Sequence, residues 1–200
     1  MLNYLTDHSL NTKSEDKNLI DAFLKGDQNA FNLLIRKYQE GIYRVIRKMV
    51  LDHDDADDLT QEVFIKIYNS VNEFRGESKF FTYIYRIAVN LSLNFLNKNK
   101  RNYSRNVSLS GNEVSSSDLK ADEIIDATNR TVLLEKAVES LPAQQRAVFN
   151  LRYYENLSYE EISSVMEKST GGMKANYFHA LKNLQKFLIS NKMFELMDTK

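Results

Sequence analysis

Apolar residues recur every three or four positions along most of this 200-residue chain, which is the period of an amphipathic helix. In the first half this spacing predicts helices at residues 15–25, 28–50, 54–70 and 80–101. No run of strict alternation between apolar and polar residues predicts a strand. The pattern therefore favours an all-α chain.

The apolar pattern breaks at residues 106–129, which are rich in Ser, Asn and Asp. A structureless loop of more than about 15 residues is uncommon inside a compact domain, so we interpret the segment as a flexible linker between two domains. A long loop within a single domain is the alternative. The linker is also the acidic part of the chain, since it holds more Asp and Glu than Lys and Arg.

Four further helices are predicted beyond the linker. The first covers residues 132–140, and the second has Pro142 just inside its start, where a missing N–H costs nothing. Ser158 and Glu161 have the spacing of a capping box that opens the third helix. The fold class that follows is two small helical domains joined by a linker. The predicted divisions are a flexible N-terminus at 1–14, a four-helix domain at 15–105, the linker at 106–129, a helix-turn-helix domain at 130–190 and a C-terminal tail at 191–200.

The composition of the chain limits the classes of function that it can have. Apolar residues make up 42% of the chain, which is enough for a core, and 27 basic residues balance 27 acidic ones. A net charge of zero gives no global attraction to nucleic acid or membrane. The absence of cysteine excludes disulfides and thiolate metal sites, and no apolar run approaches the roughly 18 residues that span a bilayer. We therefore expect a cytoplasmic protein without direct membrane insertion.

Residues 158–188 have the spacing of a helix-turn-helix, with Ser169 or Thr170 capping the second helix. In that motif the start of the second helix reads bases in the major groove. Lys174 supplies charge there, and Asn176 can form a bidentate pair with adenine. An αα-hairpin that only packs is the alternative, and the pattern alone does not decide between them. The predicted reading end comprises Thr170, Gly171, Gly172, Lys174, Ala175 and Asn176, with His179 and Lys182 further along the same helix.

Acidic residues are concentrated between residues 51 and 64, where no Lys or Arg occurs. Carboxylates with His53 could hold a divalent metal ion, acids at a helix start could favour the helix dipole, or the acids could form a docking face for a basic partner. A helix start spreads such side chains around the axis, whereas metal ligands must converge. The dipole needs only one or two acids, so docking accounts best for the surplus.

Residues 80–101 combine an apolar stripe with a second, polar stripe about a third of a turn away. Just upstream, FRGESKFF places three phenylalanines beside two cations. Rings stack on unpaired bases for about 1–3 kcal/mol each while cations follow the backbone, which suits single-stranded nucleic acid. The alternative is that the rings are buried and the cations are solvated. The polar stripe consists of Tyr83, Arg86, Asn90, Asn94, Asn97 and Arg101.

These motifs together resemble the extracytoplasmic-function (group 4) sigma factors of bacterial RNA polymerase. DDADDLTQEVFIKIY is similar to region 2.2, and FRGESKFFTYIYRIAVNLSLNFLNKNKR is similar to regions 2.3 and 2.4. LPAQQRAVFNLRYYENLSYEEISSVM followed by STGGMKANYFHALKNL is similar to region 4. The resemblance covers about residues 15–105 and 130–190.

The resemblance implies a factor that binds core RNA polymerase, reads the −35 element as duplex and the −10 element as melted non-template strand. Its expected partners are the largest-subunit coiled coil and the flap of the polymerase, promoter DNA and an anti-sigma factor, with no small-molecule substrate, cofactor, metal or catalytic residue. It assigns polymerase docking to Asp57, Asp58, Gln61 and Glu62. It assigns the −10 element to Phe74, Arg75, Ser78, Lys79, Phe80, Phe81, Tyr83, Arg86, Asn90, Asn94 and Arg101. It assigns the −35 element to Ser158, Thr170, Gly171, Gly172, Lys174, Asn176, His179 and Lys182.

The sequence departs from the family pattern at a few positions. Thr82-Tyr83 stands where Thr-Trp is common, Asn176 where arginine is usual, and Gly172 where threonine is common. These departures concern the −35 preference more than the function. Other functions compatible with parts of the sequence are a helix-turn-helix regulator that binds duplex DNA alone, a nuclease using the carboxylates and His53, and an interaction adaptor.

Overall fold

A computed structural model describes residues 8–74, 76, 78–110 and 127–191, which are mainly helical. Over those residues there is no strand, and the all-α class predicted from the sequence is confirmed. None of the helices described there is both long and apolar enough to cross a bilayer. The helices are α1 (His8–Leu24), α2 (Gln28–Val50), α3 (His53–Ser70), α4 (Phe80–Ser110), α5 (Ala127–Glu139), α6 (Ala143–Tyr153), α7 (Tyr159–Met166) and α8 (Thr170–Ser190), with a 3₁₀ turn at Val71–Glu73.

The helices on either side of the predicted linker extend into it. α4 continues to Ser110 and α5 begins at Ala127, whereas the linker was predicted from 106 to 129. The sequence between Phe80 and Ser110 contains no proline or glycine, so nothing in it stops the helix where the apolar pattern fades. Residues 111–126, which form the rest of the predicted linker, lie outside the described residues.

Side-chain caps fix the starts of α7 and α8. Ser158 and Glu161 form the predicted capping box, since each side chain accepts a hydrogen bond from the backbone N–H of the other. Ser169, rather than Thr170, caps α8 by accepting from the Gly172 N–H at 3.1 Å. Pro142 lies immediately before α6, at its N-cap position, instead of inside its first turn.

The N-terminal domain (α1–α4) is built around α2, which packs against the other three helices. Its buried stripe has the three- and four-residue spacing seen in the sequence, and the polar residues between these positions face outward. The stripe meets the inner faces of α3 and α4 to form the core. Its fully enclosed side chains include Leu34, Ile42, Ile46, Met49, Val63, Ile67 and Ile84.

The C-terminal domain (α5–α8) places α6 and α8 side by side, with α5 along one end and α7 leading into α8. A small cluster around Phe149 and Leu184 holds α5, α6 and α8 together. The turn between α7 and α8 is short because Glu167 adopts a left-handed conformation with φ 53°. This arrangement is the helix-turn-helix predicted from the spacing.

The two domains pack directly on each other. α6 lies against the end of α2, and α7 lies against α4. Val148 and Ile162 of the C-terminal domain belong to the same buried cluster as Ile46 and Ile84 of the N-terminal domain. The hydrophobic core is therefore continuous across the two domains, an arrangement that the sequence pattern does not reveal.

Candidate nucleic-acid and partner interfaces

The acidic start of α3 combines a cap with a surplus of charge. Asp52 accepts a hydrogen bond from the backbone N–H of Asp55 at 3.0 Å and so caps the helix. Desolvation, followed by the charges of nearby carboxylates, raises the pKa of Asp55. In the part of the chain that the structure describes, no three or more His, Asp or Glu side chains form a group that could hold a metal ion. Beyond the cap, Asp54, Asp57 and Asp58 are exposed, so the surplus acids lie on the surface of α3.

The four residues assigned to polymerase docking share one exposed side of α3, which we call the docking face (Asp57, Asp58, Gln61 and Glu62). Positions three and four apart lie on the same side of a helix, and the buried stripe of α3 runs along the other side. Glu62 approaches Lys66 at 3.5 Å, an exposed pair of the kind that contributes little. The docking face consequently remains open to a basic partner.

Two apolar side chains extend the docking face, and the sequence reasoning missed them. Ile65 is 60% exposed and lies one turn beyond Gln61. Tyr68 is also exposed, and its ring contacts the Phe31 ring at a centroid distance of 5.2 Å. The spacing contained the signal, because Ile65 falls on the opposite side of the helix from Val63 and its buried neighbours.

The aromatic residues before and within α4 form a packed cluster. The Phe80 ring is only 3% exposed and meets the rings of Tyr38 and Phe74 edge-on, at 5.6 and 5.5 Å. Phe80 thus lies in the core instead of on the surface predicted to stack on DNA. Phe74, Phe81 and Tyr83 are half-buried and retain some access to solvent.

The loop before α4 is tied to the C-terminal domain. Gly76 has a φ of 72°, which favours glycine, and Ser78 is half-buried. Lys79 is exposed, and its ammonium lies 3.8 Å from a carboxylate oxygen of Glu161 on α7. Arg75, also predicted to contact DNA, lies outside the described residues.

The polar stripe of α4 divides into an occupied part and an exposed part. Arg86 donates a hydrogen bond to the Ser164 carbonyl at 3.0 Å and forms an ion pair with Glu167 at 2.9 Å. Asn90, Asn94 and Arg101 are exposed. From Arg86 to Arg101 the stripe spans about 22 Å, which is enough to follow several nucleotides. The structure therefore places the stripe on one face of α4, with Arg86 bound to α7 and the residues from Asn90 onward exposed.

The start of α8 presents polar and small residues on its outer side. Gly171 and Lys174 are exposed, Thr170 and Gly172 are half-buried, and a Cβ at Gly172 would lie 3.1 Å from the Ser169 hydroxyl oxygen. Asn176 is half-buried and donates to the Gly172 carbonyl at 2.9 Å, so its amide is turned toward its own helix. A side chain held in this way must rotate before it can pair with a base.

Further residues of the second domain differ in how accessible they are. His179 and Lys182 are exposed along the same helix. Ser158 is half-buried, and its hydroxyl serves the capping box, which positions α7. Phe178, which the sequence reasoning missed, is 63% exposed beside His179. An apolar ring on a recognition helix can contact the methyl group of thymine.

Family comparison agrees with both halves of the chain. The family model for sigma-70 region 2 matches residues 34–102, and the model for sigma-70 region 4 matches residues 131–184. The RNA polymerase sigma-H factor of Pseudomonas aeruginosa is 34% identical over 185 residues, covering 88% of this chain and 95% of the relative. The ECF RNA polymerase sigma-E factor of Escherichia coli is 36% identical over 172 residues, covering 82% of this chain and 90% of the relative.

Solved structures show the same fold. CnrH in complex with the cytosolic domain of CnrY superimposes with a TM-score of 0.63 at 18% identity, over 88% of this chain and 98% of that one. The sigma factor RpoE of Bartonella quintana, in complex with the anti-sigma factor NepR, gives a TM-score of 0.58 at 22% identity, over 79% of this chain and 96% of that one.

Two helical domains carrying an acidic docking helix, an aromatic–basic helix and a helix-turn-helix define a bacterial transcription factor of the sigma type. The chain belongs to the sigma-70 family, in its extracytoplasmic-function group. Sigma factors of this family direct promoter-specific transcription initiation with RNA polymerase.

Proposed function

We propose that this chain binds core RNA polymerase through the docking face of α3 and reads the promoter with two separate surfaces. The polar stripe of α4 and the rings beside it bind the −10 element as melted non-template strand. The start of α8 binds the −35 element as duplex DNA. The supporting observation is that the docking face, the polar stripe of α4 and the start of α8 lie on three different helices and each has exposed side chains.

In the proposed complex, charged side chains form the centre of the docking face and an apolar side chain lies at its edge. Carboxylates at the start of a helix attract a basic surface and set the orientation of the complex, while Ile65 can be buried by the partner. The largest-subunit coiled coil of the polymerase is the proposed partner of this face. The flap is the proposed partner of the C-terminal domain.

An anti-sigma factor is a further proposed partner. The structures of CnrH and of the Bartonella quintana sigma factor are complexes with a CnrY domain and with NepR. A partner of that class would act by covering surfaces that polymerase or DNA needs. On this proposal the protein works in the cytoplasm as a transcription initiation factor, with no catalysis of its own.

The direct experiment mixes the full chain with sigma-free core RNA polymerase and follows co-elution and transcription from linear genomic fragments. Binding together with discrete transcript starts supports the proposal. A chain that ignores polymerase but retains a duplex fragment alone would instead be a helix-turn-helix regulator.

A charge reversal on the docking face sharpens this test. Asp58→Lys should weaken co-elution with core polymerase by about tenfold or more while leaving the far-ultraviolet circular dichroism unchanged, because Asp58 is exposed on α3. Asp21→Lys makes the same charge change at an exposed position on α1 and serves as the matched control. Equal affinities of the two variants would remove the docking role from this face.

A further inference from the structure

The ring of Tyr83, at the head of the polar stripe of α4, is held by hydrogen bonds from the end of α3. The Tyr83 hydroxyl lies 2.6 Å from the Ser70 hydroxyl oxygen, and the Ser70 hydroxyl donates to the Lys66 carbonyl at 2.7 Å. A serine hydroxyl has a single proton, and since Ser70 gives it to Lys66, Tyr83 must be the donor to Ser70. The hydrogen bonds therefore run in one direction, from the ring on α4 to the last turn of α3.

The position of Ser70 at the end of a helix makes it available for this bond. Ser70 is the last residue of α3, and its side chain does not cap the 3₁₀ turn that follows. Its carbonyl is among the last four of the helix, which lack intrahelical donors, and the Tyr83 hydroxyl lies 3.4 Å from that carbonyl oxygen as well. Both oxygens of Ser70 are thus partners of the same phenol.

Neighbouring rings also contact Tyr83. Its ring centroid lies 5.2 Å from that of Phe74 and 6.1 Å from that of Phe80, with interplanar angles of 44° and 38°. Phe80 is itself buried against Tyr38. Tyr83 is half-buried, so part of its ring remains accessible for stacking while its hydroxyl end is fixed.

The hydroxyl at residue 83 distinguishes this chain from the common family pattern. Tryptophan is common at this position, and an indole has no hydroxyl to donate to Ser70. A tyrosine ring offers less area to a base than an indole does. A side chain that is free to rotate also loses rotamer entropy when it is ordered by binding. Holding the ring beforehand removes part of that loss, which offsets the smaller contact.

We propose that Ser70 is a positioning residue for the −10 element, which orients the Tyr83 ring to stack on a base of the melted non-template strand. The proposal rests on the function proposed above, because the fixed orientation matters to a ring that receives a base. Ser70 acts through Tyr83 and not on DNA itself. α3 thus serves two surfaces, since its docking face binds polymerase and its last residue orients a ring for the promoter.

Promoter opening by the full chain with core polymerase tests the proposal. The probe is a genomic fragment on which this chain gives a discrete transcript start. Ser70→Ala removes the acceptor of the Tyr83 hydroxyl, and Tyr83→Phe removes the donor. Each should lower permanganate reactivity of the melted thymines about two- to tenfold, which is the effect of having to order one side chain on binding. Co-elution with polymerase should not change.

A double-mutant cycle shows whether the two residues act together. If Ser70 acts through Tyr83, Ser70→Ala combined with Tyr83→Phe should lose no more promoter opening than either variant alone. Ser70→Thr keeps a hydroxyl and should open the promoter as the unmodified chain does. Ser190→Ala is the matched control, because Ser190 is the last residue of α8 and its hydroxyl donates to the Phe187 carbonyl at 2.8 Å.

Fluorine NMR of the free chain reports the orientation of the ring directly. The chain contains 11 tyrosines, so after incorporation of fluorotyrosine the Tyr83 resonance is identified as the one lost in Tyr83→Phe. In Ser70→Ala this resonance should shift or broaden, because the ring is free to reorient. In Ser70→Thr it should keep its position.

The outcomes distinguish this proposal from the proposed function. A Tyr83 resonance unaffected by Ser70→Ala, or additive losses of promoter opening in the double variant, would overturn the positioning role. Parallel losses of stability, polymerase binding and promoter opening in Ser70→Ala would make Ser70 a structural residue only. If the unmodified chain binds no polymerase or opens no promoter, the proposed function fails and the role of Ser70 at the promoter fails with it. The Tyr83 resonance then still shows whether Ser70 holds the ring.

Discussion

Replacing Arg146 by methionine removes a buried polar side chain that links the two domains. Its guanidinium donates to the carbonyls of Met49, Glu139 and Leu141, and so joins the end of α2 to the turn between α5 and α6. Burial lowers the pKa of Arg146, and the Glu139 carboxylate opposes that shift. Methionine fills much of the same space without donors, so the variant chiefly tests the hydrogen bonds.

The expected loss follows from these contacts. A hydrogen bond with a charged donor contributes about 1.5–3 kcal/mol net, and a buried carbonyl left without a partner costs about 1–3 kcal/mol. Methionine recovers part of this, because the desolvation cost of the guanidinium disappears. We expect the free energy of unfolding to fall by about 3 kcal/mol, equivalent to roughly 6–12 °C in Tm for a chain of this length.

Urea and thermal unfolding followed by circular dichroism measure this loss. Arg36→Met is the matched control, because Arg36 lies exposed on α2 and loses the same charge. Arg146→Lys should recover only part of the stability, since an ammonium cannot present the planar fork of donors. A loss below about 1 kcal/mol, or one equal to that of the control, would refute the reasoning.

Three further predictions address the promoter surface, a cap and a titrating group. Asn90→Ala should reduce permanganate reactivity of the melted promoter without weakening co-elution with polymerase, because Asn90 is exposed on the polar stripe; equal loss in both assays would indicate a structural role. Ser158→Ala should cost about 1 kcal/mol in urea unfolding through loss of the capping box, and unchanged stability would mean that the cap contributes nothing. Desolvation, together with the 2.6 Å hydrogen bond to Asp16, raises the pKa of Tyr38 above its ordinary value of 10.0. The folded state therefore holds this proton more tightly than the unfolded state, so the contribution of Tyr38 to stability should be fully present below about pH 10 and be lost above it. The decline in stability above about pH 10 should be less steep in Tyr38→Phe, and parallel pH profiles would contradict this.

Helix periodicity and caps were readable from the sequence because both are local. The stripe of α2 and the capping box at Ser158 depend only on residues a few positions apart. The ends of α4 and α5 were less predictable, since polar residues without proline or glycine neither require nor forbid a helix. The contact between the domains was not predictable, because it joins residues such as Arg44 and Glu155 that are far apart in sequence.

The candidate site residues also divide into those that were predictable from local sequence and those that depend on long-range packing. Exposure of the docking face followed from its position opposite the buried stripe of α3. The same helical spacing could have identified Ile65 as exposed. Phe80 could not be distinguished from Phe74 or Phe81 by pattern, because only packing against Tyr38 decides which ring is buried. The engagement of Arg86 by α7 depends on how the domains meet, and spacing along α4 carries no information about that.

The domain contact combines apolar burial with polar groups that fix its geometry. Apolar side chains such as Val148 and Ile162 are buried in the same cluster as residues of the N-terminal domain, and their burial contributes about 25 cal/mol per Å² to stability. The polar groups specify one arrangement, because sliding the helices past each other would leave the buried Arg146 guanidinium and the Lys48 and Met49 carbonyls without partners. Removing one partner costs more than the intact bond contributes, since the group left behind stays buried without a hydrogen bond. The loss expected for Arg146→Met arises mainly in this way.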